Sequence, residues 1–129
     1  MRRAFLAIQD PNLASAVRHL LTSLTLEVVG SVATWDDALE QLARCEFDVL
    51  CIEQLMIVRG DSTALSALGV VRAHHVAIVC IEAPRTYRQG MQDVYTDLMI
   101  RTSDRPDVIV RNLKVLIEAH THQPSSLQI

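Results

Sequence analysis

Aromatic side chains are scarce in this chain of 129 residues: Phe5, Trp35, Phe47, Tyr87 and Tyr95 are all it has. So few rings cannot line a nucleic-acid strand with stacking platforms. A basic excess is also lacking. Twelve Lys and Arg against fifteen Asp and Glu leave a formal net charge of −3, the reverse of a nucleic-acid-binding footprint. Lysine is almost missing, since Lys114 stands alone among arginines. Cysteines are few and odd in number (Cys45, Cys51, Cys80), with no C-x-x-C pair, so they read as small buried hydrophobes and reduced thiols. The four glycines, Gly30, Gly60, Gly69 and Gly90, form no G-x-G-x-x-G, P-loop or G-x-S-x-G. Nucleotide enzymes, flavodoxin-like enzymes and hydrolases lose support on that ground. No apolar run reaches membrane-spanning length. The run at 4–8, after Arg2 and Arg3, is too short for a signal peptide and ends at Asp10-Pro11. The expected location is the cytoplasm.

Half of the residues are hydrophobic and 21% are charged, the balance of one globular domain with an ample core. Their order alternates between two patterns. Short runs rich in β-branched residues occupy 5–8, 28–33, 49–52, 76–81 and 98–100. Helical spacing fills the gaps: Leu13, Val17, Leu20, Leu21 and Leu24 lie on one helix face. Asn12 is the expected N-cap of that helix. Thr34, with Asp37 three residues on, starts a second. Leu65, Leu68 and Val71 follow Asp61 or Ser62 in a third, and 84–94 gives a weaker fourth. Ser103 or Asp104 is expected to cap a fifth, with Pro106 in its first turn and Ile109, Val110, Leu113, Leu116 and Ile117 turned inward. Five β-α units with near-continuous apolar strands predict an α/β, three-layer, doubly wound sandwich with a five-stranded parallel sheet. The domain is expected over 1–120, with 121–129 a disordered tail or linker stub.

Ligands of such sheets bind at the carboxyl ends of the strands. Gln9 and Asp10 follow strand one there, Glu53 strand three, Glu82 strand four and Arg101 strand five. Three carboxylates and a guanidinium are thus expected on one rim. Cys51 and Cys80 precede Glu53 and Glu82 on strands expected to be adjacent, which would make the two thiols neighbours.

The segments AFLAIQDP (4–11), FDVLCIEQLM (47–56), AIVCIEA (77–83) and DLMIRT (97–102) resemble the receiver domain of bacterial response regulators, the chemotaxis-Y-like modules of two-component phosphorelay signal transduction. The resemblance covers residue 3 to about residue 120. It implies flavodoxin-like receiver topology with strand order 2-1-3-4-5. In that family two acids after strand one hold Mg²⁺, and an Asp ending strand three accepts the phosphoryl group. A Thr or Ser ends strand four, Lys-Pro ends strand five, and an aromatic in strand five acts as a rotamer switch. Here Gln9-Asp10 replaces the acid pair and Glu53 the phosphoacceptor. Ile57 replaces a turn proline, Glu82 the hydroxyl residue, Arg101-Thr102 the Lys-Pro, and Leu98 the aromatic. The chain therefore resembles an atypical, degenerate pseudo-receiver.

Chemistry should weaken accordingly. Mg²⁺ demands near-ideal octahedral geometry, so one lost acid and one lengthened acid predict weak or no Mg²⁺ binding, with no other cofactor expected. Glu82 places negative charge where a phosphoryl oxygen needs a donor. Arg101 is expected to pair with Glu53 or Glu82. A Glu53–Arg101 pair would imitate the phosphorylated form, the alternative being drift at a disused site. Arg101 in place of Lys also agrees with the arginine bias of the whole chain. The His74-His75 pair and His120-x-His122 lack the fixed spacing of a metal site.

The last helix leaves Val108, Val115 and Ala119 as a second apolar stripe beside its core face. In one receiver subfamily, acids and arginines at places matching Asp97, Asp107 and Arg111 bridge a dimer, with Arg85 and Arg88 as further partners here. The expected function is a non-catalytic, phosphorylation-independent regulatory module. It would act by protein contact or homodimerisation through the face of the fourth helix, fifth strand and fifth helix, with Asp97, Asp107, Val108, Arg111, Val115 and Glu118 on it. No direct nucleic-acid or membrane binding is expected. With no output domain in the sequence, it would act on a separate partner or as part of a longer protein. Two alternatives stand beside this: a sensor holding a cationic or polar small molecule in the former phosphorylation pocket, and a divergent working phosphoreceiver.

Overall fold

The computed structural model describes residues 2–44, 46–54, 56, 62–82 and 97–121, with backbone only at 62–65 and 121. Strands β1 (Arg3–Ala7), β2 (Glu27–Val32), β3 (Val49–Glu53), β4 (Ala77–Glu82) and β5 (Leu98–Arg101) form one parallel sheet in the order β2-β1-β3-β4-β5. Helices α1 (Pro11–Ser23), α2 (Trp35–Arg44), α3 (Ser62–Ala73) and α4 (Pro106–Thr121) connect and follow them. The architecture is the doubly wound sandwich expected from the sequence. The helix expected over 84–94, with Arg85 and Arg88, lies outside the described residues, as do Cys45, Ile57, His122 and the tail from 122.

Two cores flank the sheet, and the strand alternation assigns residues to each. Phe5, Ala7, Leu50, Ile52, Ile78 and Cys80 face α2 and α3, meeting Ala38, Leu42, Leu68 and Val71. Leu6, Ile8, Val49, Cys51, Val79 and Ile81 face α1 and α4, meeting Val17, Leu21 and Leu113. Every residue of β3 and β4 is buried, which is why both strands are apolar up to the glutamate that ends each. At the edge, β2 alternates between exposed and half-buried. A register shift opposite Ala4 and Phe5 leaves Val29 unpaired and sets Gly30 beside Phe5. A Cβ on Gly30 would lie 2.8 Å from a Phe5 ring carbon, and that ring is already stacked on Phe47 at 5.2 Å. Glycine is required at this close approach.

Two of the caps differ from expectation. Asp10, not Asn12, caps α1: its carboxylate accepts the N–H groups of Asn12 and Leu13, and Pro11 opens the helix. Proline suits the first helical position, so the cap is the residue before it. Likewise α4 starts at Pro106, and Asp104 turns its carboxylate back to the Arg101 N–H instead of capping. Thr34 does cap α2, accepting the Asp37 N–H at 3.2 Å.

Helices α1 and α3 end alike. Leu26 N–H reaches the Leu21 carbonyl and Thr25 N–H that of Thr22, while Val76 reaches Val71 and His75 reaches Arg72. Both are Schellman closures, in which the residue past the cap is left-handed. Thr25 and His75 hold that position at φ 65° and 62°. The His74-His75 pair is thus a helix stop. A β-branched residue is strained there, so Thr25→Gly is expected to stabilise the protein by about 0.5–1 kcal/mol, read as a higher urea midpoint at unchanged slope.

Candidate functional site

The carboxyl edge of the sheet carries Gln9, Asp10, Glu53, Glu82 and Arg101, but as two separate arrangements. In the first, Glu53 is 4% exposed, and its Oε1 accepts the backbone N–H of Gln9 at 2.8 Å and of Asp10 at 3.3 Å. Strand pairing causes this. Ala7 lies opposite Ile52, so the chain leaving β1 runs past the end of β3. A buried carboxylate is costly unless hydrogen-bonded, and these two amides supply the bonds. Glu53 thereby ties the β1–α1 turn to β3, while Asp10 spends its own Oδ1 on capping α1.

The second arrangement joins Arg101 and Glu82, with Nε donating to Oε1 at 3.0 Å. These residues are direct register partners on β4 and β5. Glu53 aligns instead with Ile81, two strands and about 9–10 Å from β5. Of the two partners expected for Arg101, Glu82 on the adjacent strand takes the guanidinium, and the Glu53–Arg101 pair that would imitate phosphorylation does not form. Asp104 and the Thr102 N–H, which donates to the Glu82 carbonyl, fix the loop beyond. The same register separates the thiols. Cys51 pairs with Val79 and Ile52 with Cys80, so the two cysteines belong to opposite cores and are not neighbours. Both are buried, and burial pushes the Cys51 thiol up to about 12.

Leu98 is half-buried against the α1/α4 core and offers neither ring nor hydroxyl for a switch. Asp97 lies at the other end of β5. Its carboxylate pairs with Arg72 at 2.5 Å and accepts the Ile78 N–H at 2.8 Å. It holds α3 to the sheet within the chain. On α4, Val115 is 60% exposed. Asp107, Arg111 and Glu118 are exposed around it, and Val108 is half-buried. A shallow groove of about 530 Å³ runs along Val110, Arg111, Lys114 and Val115.

Sequence reasoning missed Gln54. It is fully buried, and neither its Nε2 nor its Oε1 has a hydrogen-bond partner among the described residues. The available signal was a lone amide between a buried strand and the buried Met56, whose carbonyl accepts the Trp35 indole N–H.

The donor set does not suit Mg²⁺. Gln9 brings an amide where the family has an acid, Asp10 caps a helix, and Glu53 bonds amides with its Oε1. Among the described residues no group of three or more His, Cys, Asp or Glu is placed to hold a metal ion.

No protein-family model and no curated protein matches the sequence. Solved structures do match. A CheY-like response regulator receiver domain from Methanospirillum hungatei JF-1 superimposes with TM-score 0.74 at 13% identity, over 96% of this chain and 99% of that one. The receiver domain of a modulated diguanylate cyclase from Desulfovibrio desulfuricans G20 gives 0.73 at 13% identity, over 96% and 99%. The REC domain of AraT from Geobacillus stearothermophilus gives 0.72 at 17% identity, over 95% and 98%. The chain has the fold of response-regulator receiver domains.

Proposed function

We propose that this receiver-fold chain is a non-catalytic cytoplasmic signalling module of bacterial two-component type that works without phosphorylation. Partner contact or homodimerisation is assigned to the face bearing β5 and α4. The observation that carries the reading is Glu53: the residue at the phosphoacceptor place is buried and already bonded to the two amides of the β1–α1 turn. Phosphoryl transfer to a carboxylate depends on positioning and on neutralising charge. Here the lengthened acid is turned inward, the neighbouring acid caps a helix, and Glu82 pairs with Arg101. The exposed Val115, set among charged residues, supports α4 as the contact face.

The test is an amide NMR titration with Mg²⁺ and then beryllofluoride, a phosphoryl mimic. No shift is expected at Gln9, Asp10, Glu53 or Arg101 at millimolar Mg²⁺. Saturable shifts there that spread into α4 would establish a working phosphoreceiver and overturn the proposal. Val115→Glu is the companion variant: loss of self-association or of partner binding, with an unchanged core spectrum, is the expected result.

A further inference from the structure

The two faces of the sheet are covered unequally. Helices α2 and α3 pack against one another, whereas α1 and α4 scarcely touch. Between them lies a cavity of about 300 Å³. Its floor is Cys51, Ile81 and Leu113, its walls include Val17 and Ile100, and Ala16 and Thr102 form the mouth. The floor residues are buried, and the mouth residues are exposed, so the space opens to solvent at one side. Neither Glu53 nor Glu82 nor Arg101 lines it.

We infer that this α1/α4 cleft is a binding site for a small, uncharged, apolar molecule of one or two hydrocarbon rings. The cleft is apolar and open at its mouth, so a ligand seated in it takes apolar surface out of water. An apolar cavity of about 150 Å³ already takes up benzene, and ligand pockets begin near 300 Å³. No charged residue lines the space, and the Cys51 thiol on its floor stays protonated because burial holds it up near 12. A charged ligand would lose its hydration there with no compensating partner. A protein helix, about 10 Å across, is too wide to enter. Thr102 at the mouth and Cys51 on the floor are the lining residues with polar side-chain atoms.

The experiment titrates p-xylene into protein labelled with ¹³C at Ile, Leu and Val methyl groups, with the p-toluate anion as a charged control of similar shape. Saturable shifts are expected at Val17, Ile81, Ile100 and Leu113, with a Kd on the order of 0.1–1 mM for so small a ligand. p-Toluate should leave these methyls unmoved. Ala16→Phe, placed on an exposed helix position so that folding is kept, should close the mouth and weaken p-xylene binding by about tenfold or more. Three results would each overturn the assignment: no shifts in the unaltered protein, equal shifts with p-toluate, or undiminished binding in a folded Ala16→Phe variant. Shifts confined to Val115 would also overturn it, because they would mark adsorption to the exposed stripe.

Discussion

Glu53→Ala is expected to destabilise the protein by about 3–4 kcal/mol, combining two lost charge-assisted hydrogen bonds with a small cavity. The amides of Gln9 and Asp10 are partly buried and face this carboxylate. After truncation they keep their desolvation cost and lose their acceptor. The loss lies within the total stability of a domain, about 5–15 kcal/mol, so the variant should still fold and urea denaturation can measure it. Glu53→Gln separates charge from geometry. Its carbonyl can still accept one amide, so the expected cost is only about 1 kcal/mol. Glu53→Asp restores the residue type of phosphorylatable receivers but withdraws the carboxylate by one methylene from the turn. It is expected to fall between the two. Hydrogen exchange gives the local readout: Gln9 and Asp10 amides should exchange faster in the order Glu53, Gln, Asp, Ala. A cost below about 1 kcal/mol for Glu53→Ala would mean that water replaces the carboxylate freely. The β1–α1 turn would then not be latched, and the phosphorylation-independent reading would lose its main support.

The fold was legible because the central strands announced their burial. The runs at 49–52 and 76–81 are unbroken by polar residues because β3 and β4 are covered on both faces. The spacing of Val17 and Leu21 on α1, and of Leu113 on α4, matched the core they enter. The positions of Gln9, Asp10, Glu53, Glu82 and Arg101 at one sheet edge followed from strand ends alone. Their pairing did not. It depends on strand order and register: β4 lies between β3 and β5, and an offset of one residue carries Glu82, the register partner of Arg101, one position beyond Glu53. The same offset put Cys51 and Cys80 in different cores. The Asp10 cap was readable from Asp-Pro at the helix start. The Asp97–Arg72 pair, which joins residues 25 apart in sequence, had no local signature. Nor did the α1/α4 cleft, since it reflects the distance between two helices and not the pattern of either.

Gln54→Met is expected to act in the opposite direction, raising stability by about 1–3 kcal/mol. Gln54 is fully buried, and neither amide atom has a hydrogen-bond partner among the described residues. A buried amide keeps its desolvation penalty when nothing bonds to it, whereas a thioether of nearly the same shape carries none. Met also matches the volume, so the neighbouring Trp35–Met56 contact need not move and overpacking is avoided. The urea midpoint should rise while the slope stays constant, because the surface exposed on unfolding is little altered. Gln54→Leu should stabilise less, since its branch changes the shape. A chain that tolerates such a penalty beside Glu53 retains a site where stability has been given up, and such residues concentrate where proteins bind or switch. If the proposed partner contact exists, the stabilised Gln54→Met variant carries a second expectation, namely weaker partner binding despite its firmer fold. Should Gln54→Met prove destabilising, the amide must be bonded in solution. Its two polar atoms would then mark a bound water or polar ligand at the end of β3.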